Sequence, residues 1–122
     1  MSLAAAACTL ALVTAGGLVT SNDAALAVPD WPLNWGRLVP RLEGGIRFEF
    51  AHRVLALLAA GCAGWRGAFA AVVAQALLGG ALVKLVDPKV LAIAHASLAE
   101  ICFGLAVAVA AGYYGACEAG NS

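Results

Sequence analysis

Residues 2–20, SLAAAACTLALVTAGGLVT, form an unbroken run without a charged side chain. Each helical residue adds about 1.5 Å of rise, so crossing a hydrocarbon layer about 30 Å thick takes roughly 20 apolar residues. A run of that kind near one end of a chain admits two destinations. One is a secretory leader, and Ala25-Leu26-Ala27 has the small-x-small pattern of a cleavage site. A leader opens with basic residues, however, and no Lys or Arg precedes this run. We therefore read it as a retained first helix.

The rest of the chain supports an integral membrane protein. Of 122 residues, 63% are hydrophobic and 11% charged. A soluble domain covers its surface with about 25% charged residues. The net charge is zero and no Lys/Arg run occurs, which argues against nucleic-acid binding. Four cysteines, Cys8, Cys62, Cys102 and Cys117, form no CxxC pair and read as small buried hydrophobes rather than a disulfide framework or zinc site.

The sequence predicts an all-α membrane protein: a single domain over 1–122, folded as a bundle of four transmembrane helices with one long first loop. Helices are expected at about 2–20, 46–65, 67–85 and 89–115. Residues 62–66 and 84–89 read as tight turns, with Pro88 placed to open the fourth helix. Residues 21–45 form the long loop and hold three of the four prolines; loops of that length are usually functional. Gly16-Gly17-Leu18-Val19 and Gly79-Gly80-Ala81-Leu82-Val83 form a weak internal echo, each closing one helix ahead of another that carries a histidine in its second turn. Gly and Ala fill the spans, and Ala60/Gly64 and Gly104/Ala108/Gly112 fit the spacing that lets helices approach closely in lipid.

The only histidines are His52 and His95. Each lies about six residues into its helix, or ~9 Å of rise. Helices two and four cross in the same direction, so the imidazoles share a depth. Such a pair on facing helices suits the two axial positions of a haem iron; hydrogen bonding between helices is the plainer alternative. Zinc is poorly supplied, since only Glu49 or Glu100 could add a third ligand. Glu49 stands three residues before His52 on the same helix face, where it can take a proton or stabilise developing positive charge, or simply pair with Arg47 or Arg53. Arg53 lies deeper than His52 and needs a partner, either a haem propionate or Glu49. Lys84, Lys89 and Arg47 read as helix-end charges. Glu100 points about 140° away from His95 around its helix and reads as an inter-helix hydrogen bonder.

Together these motifs are similar to the heme A synthase family. The resemblance rests on GGLVTSNDAALAVPDWPLNWG (16–36), EFAHR (49–53), LLGGALV (77–83) and AHASLA (94–99), and extends over nearly the whole chain. Its specific parts are Pro29-Asp30-Trp31-Pro32 and the Glu-x-x-His-Arg that opens the second helix. Members usually have eight helices in two pseudo-symmetric halves, each with a histidine pair. One half holds the substrate haem and the other a haem b cofactor. This chain looks like the amino-terminal half alone. The resemblance implies Glu49 as the catalytic carboxylate and His52 and His95 as iron ligands. The reaction it implies is oxidation of a methyl group of haem o to the formyl group of haem a, by successive hydroxylations, for terminal oxidases. Arg53, Arg37, Arg41 and Trp31 are then candidates for contacts to haem propionates or within the loop. Some members carry two cysteines in the first loop; here Val28 and Asn34 stand at about those places.

One histidine pair per chain implies one haem site, so two copies are expected to pair into an eight-helix unit as a homo-oligomer. The expected partners are haem, the lipid membrane, a haem o synthase and an electron donor. The family places the long loop on the extracytoplasmic side of the plasma membrane. The positive-inside rule points the other way, because Arg37, Arg41, Arg47, Lys84 and Lys89 face Arg66 across the bilayer; we follow the resemblance. Two rival functions stand beside the enzyme: a bis-histidine b-type cytochrome that passes electrons, and a haem-handling assembly partner without chemistry of its own.

Overall fold

The computed structural model describes residues 3–62, 66–86 and 88–119. These form four helices: α1 (Leu3–Ser21), α2 (Ile46–Cys62), α3 (Arg66–Lys84) and α4 (Lys89–Ala119). Three stretches, Leu3–Ser21, Gly67–Lys84 and Lys89–Gly112, are helices long and apolar enough to cross a membrane. The chain is thus an all-helical protein with the marks of a membrane protein. α2 differs: it has 17 residues and carries Arg47, Glu49, His52 and Arg53 in its first half. The expected continuation of α2 over 63–65 and the start of α1 at Ser2 lie outside the described residues.

The helix ends follow from local chemistry. Gly44, at a φ of 53°, turns the chain immediately before α2. Glu49 then falls in the first turn of α2, where the helix dipole favours an acid. The Pro88 carbonyl accepts from Ala92 N–H at 3.0 Å, so the proline sits at the opening of α4 without blocking a helical bond. α4 runs past the expected 115 to Ala119, because no proline interrupts residues 113–119.

The helices form a closed ring in which α1 packs on α2 and α4, and α3 packs on α2 and α4. The diagonal pairs, α2 with α4 and α1 with α3, make no backbone approach among the described residues. Late residues of α1 meet early residues of α2, as Gly16 faces His52. Likewise Gly79, late in α3, faces His95, early in α4. The neighbours within each hairpin are therefore antiparallel, and the glycine echo of the sequence lands twice on the same kind of contact.

The interior is built from small residues. Among the described residues, Ala5, Ala6, Ala15, Ala59, Ala106 and Ala110 are the buried apolar side chains of the helices, while Leu57, Leu77, Ile93 and Leu105 are more than half exposed. A water-soluble bundle would bury the large residues and expose the small. The reverse suits lipid, where backbones gain by close approach and large apolar side chains lose nothing by facing outward. Cys8 and Cys102 are partly buried in their helices.

The loop between α1 and α2 is ordered by its own hydrogen bonds. Asn34 N–H donates to Arg37 O at 2.9 Å and Arg37 N–H donates to Asn34 O at 3.0 Å. Between them Trp35 and Gly36 both have positive φ, 49° and 69°, which makes a primed two-residue turn with glycine at its second corner. The Asp30 carboxylate accepts from Gly36 N–H at 3.1 Å and braces that turn from inside the loop. Leu38 and Val39, beyond the turn, are 81% and 65% exposed and so form an apolar crest.

Candidate functional site

Glu49 and Arg53 lie four residues apart on α2 and form an ion pair. The Glu49 side chain is 6% exposed and that of Arg53 17%. At that burial a charge is costly unless every bonding position is used. Both carboxylate oxygens and both terminal guanidinium nitrogens are used, and beyond the pair itself the partners are groups of the long loop. The second carboxylate oxygen of Glu49 accepts from Val28 N–H at 2.9 Å. Arg53 Nη1 donates to Leu33 O at 2.9 Å and to Asn34 Oδ1 at 3.1 Å. Its Nη2 donates to Asp30 O at 2.8 Å as well as to Glu49. Two adjacent turns of α2 thus clasp residues 28–34, and Arg53 finds its partner in Glu49 and loop backbone.

The clasp also explains two loop positions. Val28 and Asn34, 0% and 4% exposed, are buried because the first offers its amide to Glu49 and the second its side-chain oxygen to Arg53. Trp31 reaches farther, onto α3. A Cβ placed on Gly80 would fall 2.5 Å from the Trp31 ring, so only glycine leaves room for the indole there. The loop is therefore tied to α2 by charge and to α3 by an aromatic ring, at the end of the bundle nearest the histidines.

His52 lies between Glu49 and Arg53 in sequence and turns toward α1. Its Nδ1 is 3.1 Å from Leu12 O. A carbonyl can only accept, so this contact puts the proton on Nδ1 and leaves the Nε2 lone pair available to a ligand. Gly16 supplies the space: a Cβ there would lie 3.1 Å from His52 Cε1. His95 is housed in the same way, with Cε1 3.3 Å from where a Gly79 Cβ would stand. The two ring centroids are 6.5 Å apart and the ring planes cross at 82°. Two imidazoles bound to one metal at about 2 Å each place their centroids roughly 6 Å apart. The separation therefore fits a shared iron across the α2–α4 diagonal.

Among the described residues, no group of three or more His, Cys, Asp or Glu side chains is placed to hold a metal ion. A bare ion would want more donors than two histidines. A haem brings its own equatorial nitrogens and asks the protein for axial ligands only. Two further observations fit a tightly built second histidine. Gln75 Nε2 donates to His95 O at 3.1 Å. His95 Nδ1 and Gln75 Oε1 are both buried without a hydrogen-bond partner.

The other site residues expected from sequence are distributed differently. Arg37 and Arg41 line an open groove of about 520 Å³ with Asn34, Trp35, Pro40, Glu43 and Ile46; Asn34 joins it to the clasp, and neither histidine takes part in it. Arg47 lies over the neighbouring Phe48 ring, 4.7 Å from its centroid. Glu100 is exposed. The sequence reading noted Gly16, Gly79 and Asn34 without assigning them a part in the site, and passed over Leu12 O and Gln75. The paired glycines were a usable signal, because a glycine repeated ahead of each histidine helix marks two matched close approaches. Compared with known proteins, the chain matches no family model, no curated protein and no solved structure.

Proposed function

We propose that this chain is a compact heme A synthase of four transmembrane helices, acting on a haem held between His52 and His95. The observation that carries the reading is the 6.5 Å separation of the two imidazoles across a helix diagonal that has no backbone contact of its own. The haem is both the iron centre and the source of the methyl group that is oxidised from haem o to haem a. His52, fixed by Leu12 O, presents Nε2 as a ligand. Glu49, one turn nearer the loop, is the carboxylate available to hold or move a proton, and Arg53 orients it. Trp31 and residues 28–34 cover the same end of the bundle and keep water from it. Arg37 and Arg41, in their own groove, are placed for propionates or lipid headgroups at the membrane surface.

In this reading α2 completes a fourth span, the long loop faces the extracytoplasmic side of the plasma membrane, and two copies pair so that a second site can hold haem b. Gly104 and Gly112 on α4 have nothing within 4 Å of an added Cβ and leave a close-packing face open for that pairing.

A second reading is a bis-histidine b-type cytochrome. It is favoured by the engagement of both Glu49 oxygens, with Val28 and Arg53, which gives the carboxylate a structural task that an electron carrier could use equally well. Co-expression with a haem o supplier, followed by extraction and identification of bound haems, separates the two. Haem a or a hydroxylated intermediate in the wild type, lost in Glu49→Gln with haem still bound, supports the enzyme. Haem b alone supports the carrier, and a colourless protein refutes both.

A further inference from the structure

We propose that Gln75 is the positioning residue of His95: its Oε1 accepts the Nδ1–H of the imidazole and so directs Nε2 toward the His52 side. The two histidines are housed alike but secured differently. His52 Nδ1 has a backbone carbonyl, Leu12 O, from the facing helix α1. His95 Nδ1 has no such bond, although it is buried. A buried polar nitrogen without a partner is costly, and native structures rarely leave one so.

The facing helix of the second hairpin, α3, offers one polar side chain beside residue 95. Gln75 Nε2 already donates to His95 O at 3.1 Å, so the amide is held against this residue. Its other end, Oε1, is also buried and also without a partner. His95 Nδ1 can carry a donor proton and Gln75 Oε1 is an acceptor, and they belong to two residues already joined by a hydrogen bond. Pairing them asks for a readjustment of the Gln75 side chain that keeps Nε2 on the His95 carbonyl. The opposite assignment, with the proton on Nε2, leaves a bare Nδ1 lone pair in search of a donor. Gln75 Nε2 is committed to the His95 carbonyl, and no other donor to Nδ1 exists among the described residues. Chemistry therefore selects the Nδ1–H form, the same tautomer that Leu12 imposes on His52. Gln75 does for the second hairpin with a side chain what Leu12 does for the first with backbone.

The purpose of this arrangement rests on the reading of His95 as an iron ligand, but its geometry does not. Two measurements keep them apart. In protein labelled with nitrogen-15 at histidine and held in micelles without haem, two-bond proton–nitrogen correlations report each tautomer directly. The wild type is expected to show Nδ1–H at both histidines. Gln75→Leu is expected to move His95, and not His52, to the Nε2–H form that free imidazole prefers, and Gln75→Glu to restore Nδ1–H. Nε2–H at His95 in the wild type overturns the proposal even if a variant fails to fold, and so does an unchanged tautomer in Gln75→Leu. In haem-loaded protein, Gln75→Glu should lower the midpoint potential relative to wild type and Gln75→Leu should raise it, because a stronger acceptor makes the imidazole a more electron-rich ligand. Equal potentials in the three proteins count against the proposal. A protein that takes up no haem refutes the proposed function and leaves the tautomer result standing.

Discussion

Removing the Glu49 carboxylate should free the long loop, and the contacts set how far. In Glu49→Ala, the Val28 amide, wholly buried, loses its acceptor. An unsatisfied buried donor costs about 1–3 kcal/mol. Arg53 loses its ion-pair partner but keeps Asp30 O, Leu33 O and Asn34 Oδ1. Its loss is therefore one charge-assisted bond, about 1.5–3 kcal/mol, rather than the isolation of a charge. Together these come to about 2.5–6 kcal/mol. At about 1.4 kcal/mol per tenfold, loop opening should rise by roughly two to four orders of magnitude. Glu49→Gln retains an oxygen for Val28 and loses the charge and the acceptor for Arg53, so it should raise opening by roughly 10- to 100-fold. Hydrogen exchange of residues 27–37 in nanodiscs reads this directly, with α3 amides as the internal control. Exchange in Glu49→Ala equal to that of wild type would refute the clasp as the element that orders the loop.

Three other outcomes follow from the same contacts. Gly80→Val puts a branched side chain where the Trp31 ring lies, so exchange across residues 28–34 should quicken, while an unaltered rate would mean the indole is not seated on α3. Gly16→Val and Gly79→Val crowd the rings of His52 and His95 and should weaken haem binding by roughly 10- to 100-fold. Gly17→Val, where nothing lies within 4 Å, should leave haem titrations at the wild-type value. Protease added to sealed cells should cut after Arg37 or Arg41 if the loop faces outward, and protection of both would reverse the proposed orientation.

α1, α3 and α4 were legible because helices long and apolar enough to cross a membrane are written in long stretches with few charges, and that signal needs no partner; α2, with its charged first half, was legible from the apolar run that follows His52. The meeting of the histidines was legible for a related reason: equal distance from two helix starts on one side of the bundle places two residues at one depth. The clasp was not legible. Its decisive acceptors and donors are mostly backbone groups, Val28 N–H, Asp30 O and Leu33 O, which every residue possesses and no pattern marks. Sequence offered Arg53 a choice between Glu49 and a propionate; the fold pairs it with Glu49 at once. It also grouped Arg37 and Arg41 by charge alone, and the two line one groove beside the Trp35–Gly36 turn. Gln75 escaped notice because an amide within an apolar run carries no signal until the carbonyl it bonds is known.

The length of α4 has a mechanical consequence. Its 31 residues span about 46 Å, and fitting all of that within about 30 Å of hydrocarbon would take a tilt of roughly 50°, beyond the range seen for spanning helices. The 24 residues Lys89–Gly112 span about 36 Å and fit at roughly 35°, within that range. A helix of that length, crossing within that range of tilt, therefore reaches past the hydrocarbon layer.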